Sequence, residues 1–327
     1  MKSIFGLILI VLAMTIVIPM LLITSCDIST PEPEKHEIVE STKMVKVYIH
    51  AKQKVETMAL EEYIKGVVAG EMPAAFEMEA LKAQAIAARS YAVSRINAYG
   101  ETGNPDHPGA ELCDDVHCQV WLSKDKLKEL KSEKWMKNYW PKIEKAVEET
   151  TNLIMTYENK PVDQPLFHST SGGKTENSED VFVSAVPYLR SVESPYEEKA
   201  PHFNDQEVVP ISTFVSKIKN KYKDCTIKTS TVHTTLKILK RSEGGRILEM
   251  QVGNKVLAGR TIRDLLGLRS ANFKIAIKDK NLIFTTVGYG HGVGMSQWGA
   301  NGMAEKGHSY EEILKHYYVG IEIQKMQ

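Results

Sequence analysis

The stretch that decides the fold reads VVAGEMP over residues 67–73 and EALKAQAIAARSY over residues 79–91. Its second part repeats small apolar residues at helical spacing and predicts a helix over about 77–98, and a first helix is indicated over 60–68. Alanines dominate the predicted inner face of the second helix, which implies close packing against its neighbours. Pro73 separates the two helices.

Glu71 is the residue of this stretch on which a function can depend. It stands at the edge of an apolar run, immediately before Met72 and Pro73. Burial among Val67, Val68, Met72 and Phe76 would raise its pKa and produce a protonated catalytic acid. The alternative is a solvated glutamate at a helix end, which is the commoner fate of this residue type.

The composition is that of an ordinary globular protein with an apolar N-terminal segment. Of 327 residues, 43% are hydrophobic and 25% are charged, which excludes a disordered or fibrous chain. Lys plus Arg and Asp plus Glu each number 41, so the formal charge is zero. This balance gives no indication of a nucleic-acid partner, and we predict none.

Residues 1–26 are predicted to enter a membrane. The run from Ile4 to Ile23 has no charged residue and is long enough to cross a bilayer as a helix. Its length favours an uncleaved anchor, but the sequence ITSC over residues 23–26 also fits a lipobox, in which Cys26 would be lipidated after cleavage. Either alternative places the rest of the chain outside the cytoplasm. Residues 27–44, rich in Pro, Glu and Ser, are predicted to be a linker.

Helical and strand patterns are mixed over residues 45–325. Strands are predicted at Leu153–Tyr157 and Pro165–Ser169, with a further one at Tyr188–Val192 and another at Thr229–Leu239. A short helix is predicted at Gly259–Leu266, and helices at Met295–Lys306 and Tyr310–Tyr317 close the chain. We therefore expect an α+β body with two lobes and a central substrate cleft, preceded by the membrane anchor.

A second motif, FHSTSGGKTEN over residues 167–177, combines a strand end with hydroxyl and glycine residues. Such a loop offers hydroxyls and backbone amides that can hold a polar ligand such as a sugar. A phosphate-binding loop is rejected, because GKT at 173–175 lacks the earlier glycine at the required spacing. A serine hydrolase is not favoured either, since His168 and Ser169 are neighbours on a strand and point to opposite faces.

A third motif, GYGHGVGMSQWGA, occupies residues 288–300. Its alternating glycines allow close approach of a ligand, and the helix that follows has free N-terminal amides. We interpret it as part of a binding cleft, with a glycine-rich structural turn as the alternative.

The loop over residues 107–118 contains a candidate metal site. His107, Cys113, His117 and Cys118 have the composition of a tetrahedral zinc site. A disulfide between Cys113 and Cys118 is the alternative, and is plausible outside the cytoplasm. The complete four-ligand set favours structural zinc, although the adjacent His117 and Cys118 strain that geometry. No organic cofactor is predicted.

Taken together and in this order, the motifs GEMPA with ALKAQAIAARSY, FHSTSGGKTEN and GHGVGMSQWGA resemble the stage II sporulation protein D family. The resemblance covers about residues 45–325. It implies a peptidoglycan lytic transglycosylase that acts during engulfment of the forespore, with a single N-terminal anchor and its catalytic domain on the mother-cell side of the septum. Such an enzyme cleaves the MurNAc–GlcNAc β-1,4 bond of peptide-stripped glycan strands and leaves 1,6-anhydro-MurNAc ends.

The resemblance also implies roles for individual residues and partners. The glutamate of the GEMP motif, here Glu71, would be the catalytic acid. We expect a further set of side chains to hold the sugars and the oxocarbenium-like transition state: Arg89, Tyr91, His168, Ser169, Ser171, His291 and Gln297. Stage II sporulation proteins P and M are the implied partners. The family is also similar to amidase enhancers, so a non-catalytic glycan-binding activator of a cell-wall amidase is the alternative function.

Overall fold

A computed structural model of the chain describes residues 43–326, which form an α+β body of helices and several small sheets. The anchor predicted for residues 1–26 lies outside the described residues, as does the linker at 27–44 apart from its last two residues. Within the described part of the chain, no helix combines the length and apolar character needed to cross a bilayer.

In the described part of the chain, four α-helices precede residue 150, four lie between residues 178 and 266, and two lie at the C-terminus. In chain order they are α1 (Leu60–Glu71), α2 (Met78–Tyr99), α3 (Lys124–Leu130), α4 (Glu133–Glu148), α5 (Ser178–Val181), α6 (Ile211–Lys221), α7 (Val232–Thr235), α8 (Gly259–Leu266), α9 (Gln297–Glu305) and α10 (Tyr310–Tyr317).

The strands are short and dispersed. They are β1 (Met44–Ile49), β2 (Lys54–Ala59), β3 (Gly103–Asn104), β4 (His107–Pro108), β5 (Leu112–Cys113), β6 (Leu153–Tyr157), β7 (Lys160–Pro161), β8 (Phe167–His168), β9 (Asn204–Pro210), β10 (Leu236–Arg241), β11 (Ile247–Val252), β12 (Lys255–Leu257), β13 (Phe273–Lys278), β14 (Asn281–Val287), β15 (Met295–Ser296) and β16 (Glu322–Lys325). The three-stranded sheets have the orders β2-β1-β5, β10-β11-β12, β13-β14-β9 and β16-β6-β7, and the two-stranded pairs are β15-β8 and β3-β4.

Helix α2 is the centre of the main body. It packs against α1, α4, α9, α10 and strand β6. Its alanines are buried on several faces rather than on one, because neighbours surround it. Small side chains permit this, since a larger residue on any of those faces would separate the packed backbones.

Buried apolar residues form two clusters. The larger one is built from residues 45–189 together with residues 293–321, and the smaller one from residues 209–284. The chain leaves the larger cluster near Phe203 and returns near Gly288, and these two residues are joined by a hydrogen bond of 2.8 Å from the Gly288 N–H to the Phe203 carbonyl. The smaller cluster is therefore an insertion whose two ends meet.

Local sequence patterns predicted most of these elements, with informative exceptions. The strand at Leu153–Tyr157 and the helices at Gly259–Leu266 and Tyr310–Tyr317 are confirmed. The strand predicted at Thr229–Leu239 is wrong in its first half, which forms α7, and Tyr188–Val192 forms no strand. At the predicted helix Met295–Lys306, the first two residues pair instead as β15 with β8.

Candidate functional site

The three sequence motifs meet in space. Strands β8 and β15 pair in parallel, with Met295 opposite Phe167 and Ser296 opposite His168, so the second and third motifs lie side by side. Gln297 then connects them to the first motif, because its Nε2 donates to the Glu71 backbone carbonyl at 2.9 Å.

Glu71 lies at the last position of α1 and is partly buried. Its Oε1 accepts a hydrogen bond of 2.7 Å from the Val120 N–H. Burial raises the pKa of Glu71, and the bond from Val120 opposes that rise in part. The second carboxyl oxygen, Oε2, is thus the oxygen on which a proton would sit.

Gly70 allows Val120 to reach this position. A Cβ built on Gly70 would lie 2.6 Å from the Val120 carbonyl oxygen, and one on Gly66 would lie 2.3 Å from Trp121 Nε1. The two glycines are one helical turn apart, so they form a flat strip of α1 on which the segment 120–122 packs. The sequence pattern gave no sign of this contact, which joins residues 49 positions apart.

Glu71 lines a cavity of about 270 Å³ that opens to solvent and has room for part of a ligand. Its walls come from several segments of the larger cluster and from the third motif: Tyr91, Val116, Cys118, Gln119, Val120, Pro165, Leu166, Phe167 and His291. Val67, Val68, Met72 and Phe76, which we expected around the carboxyl group, are instead buried in the main hydrophobic cluster. The desolvation was predicted, but the neighbours that line the cavity differ.

Tyr91 and His291 line the cavity with Glu71, as two of the predicted sugar-binding residues. Burial raises the pKa of Tyr91 to about 12, so its phenol stays neutral and can donate a hydrogen bond. His291 has both ring nitrogens engaged: Nε2 donates to the Phe167 carbonyl at 3.0 Å and Nδ1 accepts from the Val293 N–H at 3.1 Å. Burial and the charge of Arg246 lower the pKa of His291 to about 4, so the ring is neutral.

His168 and Ser171 are buried and hydrogen-bonded to each other. The His168 Nε2 and Ser171 Oγ are 2.9 Å apart, and His168 Nδ1 is 3.2 Å from the Val293 carbonyl. Burial holds the pKa of His168 well below its usual range. Neither residue lines the Glu71 cavity, so the structure gives both of them a role in holding the second and third motifs together rather than the predicted contact with sugar.

Ser169 and Gln297 act on the site through the backbone. The Ser169 carbonyl accepts from the Trp298 N–H at 3.1 Å and from Ser296 Oγ at 3.3 Å, and Ser169 remains partly exposed. Gln297 is buried and holds the Glu71 carbonyl. Gln297, one of the predicted substrate ligands, therefore positions the segment that contains Glu71.

Arg89 is a correction to the prediction. It is fully buried, and its guanidinium forms a forked ion pair with Glu61, at 2.9 Å from Nε and 2.6 Å from Nη2. Nη1 donates to the Leu153 carbonyl at 3.0 Å. These contacts lock α2 to α1 and β6. The predicted role in sugar binding does not fit a guanidinium that is closed off from solvent.

Glu197 is a functional candidate that the sequence did not reveal. Its carboxylate is buried and accepts the backbone N–H groups of Ser171, Gly172 and Gly173 at 2.9–3.1 Å. It also accepts the hydroxyls of Ser194 and Ser296. One carboxylate thus fixes the glycine-rich loop of the second motif against the start of α9. No local signal distinguishes Glu197 from a surface glutamate.

The candidate metal ligands lie near this site but do not form the single predicted set of four. The ligand atoms of Cys113, His117 and Cys118 lie within 4.8 Å of one another, and those of His50, His107 and Cys113 form a second such group. His107 therefore shares Cys113 with His50, a residue that the sequence did not indicate. Both cysteines are free thiols in this structure.

Cys118 also lines the Glu71 cavity, so the cysteine cluster borders the site. The hydrogen bond between the two thiols lowers the pKa of Cys113 and raises that of Cys118, so the pair favours a thiolate, the form that binds metal, at Cys113. Two sulfurs and one imidazole match three of the four ligands of a structural zinc site.

Comparison with known proteins identifies the relatives of this chain. A family model described as "Stage II sporulation protein" matches residues 48–157, and a model described as a domain of unknown function matches residues 133–294. The stage II sporulation protein D of Bacillus amyloliquefaciens is 42% identical over 284 residues, covering 87% of this chain and 79% of that protein. The protein of the same name from Bacillus subtilis is 40% identical over 283 residues, covering 85% and 78%.

A more distant relative carries a different name. An amidase enhancer of Bacillus subtilis is 27% identical over 304 residues, which cover 79% of this chain and 39% of that protein. The two matches at 40% identity or more extend over most of both chains. The chain belongs to the stage II sporulation protein D family.

Proposed function

We propose that this chain is a peptidoglycan lytic transglycosylase that cleaves the MurNAc–GlcNAc β-1,4 bond of peptide-stripped glycan strands during engulfment. The observation that carries this proposal is Glu71, a partly buried carboxyl group with a raised pKa that lines a cavity open to solvent. Membership of a sporulation family supports the setting.

A single carboxyl group suits this reaction. Among the described residues that line the cavity, Glu71 is the one acid. Hydrolytic glycosidases usually use two carboxylates, one of which activates water or forms a covalent bond to the sugar. In a transglycosylase the attacking hydroxyl belongs to the substrate, so one carboxyl group can act first as acid and then as base.

In the proposed mechanism the proton on Glu71 Oε2 passes to the glycosidic oxygen as the bond to C1 breaks. The resulting carboxylate is stabilised by the Val120 N–H at Oε1 and accepts the proton of the C6 hydroxyl. The C6 oxygen attacks C1 of the same MurNAc, which closes the 1,6-anhydro ring without water. Tyr91 and His291 would contact the sugars, while Gln297 holds the backbone of Glu71.

The experiment is product analysis by mass spectrometry after the purified full-length chain meets peptide-free glycan strands. Wild type should release fragments with 1,6-anhydro-MurNAc ends, and Glu71→Gln should release none, because it keeps the shape of the side chain and removes the acid. Glu77→Gln, an exposed glutamate six residues further on, is the matched control and should retain activity. Undiminished cleavage by Glu71→Gln would reject the mechanism.

The second candidate function is a glycan-binding activator of a cell-wall amidase, favoured by the similarity to an amidase enhancer. Wild type and Glu71→Gln, compared side by side, distinguish the two functions. If the chain is an activator, wild type and Glu71→Gln should increase amidase turnover to the same extent, and both should leave the glycan strands intact.

Three further assignments belong to the proposal. Residues 1–26 would anchor the chain in the cell membrane, with the described body outside the cytoplasm. Stage II sporulation proteins P and M would act with it, since the proposed substrate has already lost its stem peptides. Cys113, Cys118 and His117 would hold a structural zinc ion, with His107 or His50 as the fourth ligand.

A further inference from the structure

A second cavity, beside the one that contains Glu71, is rich in arginine. It has a volume of about 110 Å³ and is lined by Arg246, Arg260 and Arg263 together with one acid, Asp180. His291 lines both cavities, so the two adjoin. The arginines come from the inserted segment 204–287, whereas Glu71 comes from the main body.

Arg246 is the unusual member of this group. Its side chain is only 3% exposed, and one nitrogen, Nη1, donates to the Ser171 carbonyl and to Glu176 Oε1, both at 3.2 Å. Its Nε and Nη2 donate to none of the described residues. Buried N–H groups of a cation rarely lack an acceptor, because leaving them unpaired costs free energy.

The backbone is shaped to admit this guanidinium. A Cβ built on Gly292 would lie 2.2 Å from Arg246 Cζ, so only glycine lets the loop of the third motif pack on its face. The third motif thus contributes to both cavities. His291 lines the Glu71 cavity and the arginine-lined cavity, and Gly292 packs against the Arg246 guanidinium.

The other two arginines have few acceptors among the described residues, although Arg260 Nη1 donates to the Val181 carbonyl at 3.1 Å. Asp264 approaches them only at 3.8 Å from Arg260 Nε and 3.9 Å from Arg263 Nη1, which is longer than a hydrogen bond. The Arg263 Nε is buried and donates to none of the described residues, as is also the case for Nε and Nη2 of Arg246.

The N-terminus of helix α8 opens on the same cavity. Ala258 precedes the helix and provides no side-chain cap, and Ala258, Arg260 and Thr261 all line the cavity. Free N–H groups at a helix start favour an anion. Three arginine side chains and an uncapped helix start therefore line one small space.

We infer that this cavity binds a carboxylate of the glycan, namely the lactyl carboxylate that MurNAc carries once its stem peptide has been removed. The inference rests on the proposed function and names how the substrate would be selected. A stem peptide converts that carboxylate into a neutral amide, and removal of the peptide restores the charge. Guanidinium groups bind carboxylates in a forked geometry that an amide cannot match.

The test compares two glycans on the full chain carrying Glu71→Gln, which leaves the strands uncleaved. One is a fluorescent peptide-free strand, and the other is the same strand with its carboxylates converted to methylamides. Affinity is measured by fluorescence anisotropy. The free carboxylate should bind about tenfold more tightly, as expected for a charge-assisted hydrogen bond.

Adding Arg260→Gln and Arg263→Gln should remove this preference and leave binding of the methylamide strand unchanged. The Arg260 and Arg263 side chains reach solvent, so these variants should fold. Arg246→Gln is made together with Glu176→Gln, because the single change would leave the buried Glu176 carboxylate unpaired. Lys219→Gln removes one exposed charge from the same segment and is the matched control.

Each outcome is decisive. Equal binding of the two strands would overturn the carboxylate site while the glycan-binding function stands. Binding of neither strand would overturn both. Loss of affinity for a phosphate-bearing wall polymer in the arginine variants, without any carboxylate preference, would assign the cavity to phosphate instead.

Discussion

Two opposing effects act on the pKa of Glu71, and their balance sets the pH dependence of the proposed cleavage. Burial raises its pKa, while the Val120 N–H lowers it by stabilising the carboxylate. Because the first step needs the protonated acid, the cleavage rate should fall as pH rises through this pKa. The raised value moves that decline to higher pH than an ordinary glutamate, with a pKa of about 4.3, would show. A pH–rate profile on peptide-free strands measures it.

The same pKa has a consequence for stability that serves as an independent readout. A carboxyl group with a raised pKa in the folded chain stabilises the fold below its unfolded pKa, and that contribution is lost as pH rises through the folded pKa. Glu71→Gln should therefore unfold at a higher temperature than wild type at neutral pH, and at the same temperature below about pH 4. A lower unfolding temperature at neutral pH would contradict a raised pKa.

Arg89 and Tyr91 show how two residues of one helix differ in their roles. They are two positions apart on α2 and so lie on nearly opposite faces. Arg89→Gln leaves Glu61 without its partner and should cost about 3–5 kcal/mol of stability. Tyr91→Phe should leave stability nearly unchanged and weaken cleavage about tenfold, the value of one hydrogen bond to the transition state.

Chemical denaturation and steady-state kinetics on the same samples test this pair. Arg95→Gln, at a more exposed position of α2, is a control for loss of a cation in the denaturation experiment only, because its guanidinium lies over the Tyr91 ring. A stable Arg89→Gln protein with selectively raised KM would restore the sugar-binding role that the sequence suggested.

At the scale of elements, the cysteine-containing loop pairs with the first strand. Strand β5 lies parallel to β1, with Cys113 opposite Tyr48, and this brings His50 and Asp114 to a contact of 2.6 Å. Metal bound at Cys113 and Cys118 would fix the segment that leads to Val120, and through it the Glu71 carboxyl group. We therefore expect the metal to affect activity by positioning the Glu71 carboxyl group, without taking part in the reaction itself.

We expect one zinc ion per chain by elemental analysis, lost in Cys113→Ser and in Cys118→Ser. His50→Ala and His107→Ala, compared side by side, identify the fourth ligand, because removal of one ligand lowers metal affinity. Cys225→Ser is the matched control, since this thiol is buried in the smaller hydrophobic cluster. A zinc-free chain that is two hydrogens lighter by mass would establish the Cys113–Cys118 disulfide instead.

Element patterns allowed much of this fold to be predicted, and contacts distant in sequence account for what was missed. Alternation and helical spacing located Leu153–Tyr157 and Gly259–Leu266, because each is decided by its own residues. The contacts of Glu197 and the Val120–Glu71 bond depend on packing between remote segments. Arg89 was misassigned for the same reason: nothing in its neighbourhood indicates that Glu61 and the Leu153 carbonyl surround it.

At the scale of the whole molecule, the inserted segment 204–287 has its own hydrophobic cluster and ends that meet at Phe203 and Gly288. Replacing it with a short Gly-Ser turn should leave the larger cluster folded, because that cluster draws no buried residue from the insertion. The shortened chain should keep the Glu71 cavity, whose walls all lie outside residues 204–287. Calorimetry should show one cooperative transition.

The shortened chain also separates the two cavities by function. It loses Arg246, Arg260 and Arg263 together, so cleavage that depends on Glu71 should persist at reduced rate while the distinction between free and amidated carboxylates disappears. Glu176→Gln is included in the shortened chain, because removal of Arg246 would leave Glu176 unpaired. A chain that folds and still prefers the free carboxylate would place that recognition in the main body, and an insoluble one would show that the larger cluster depends on the insertion.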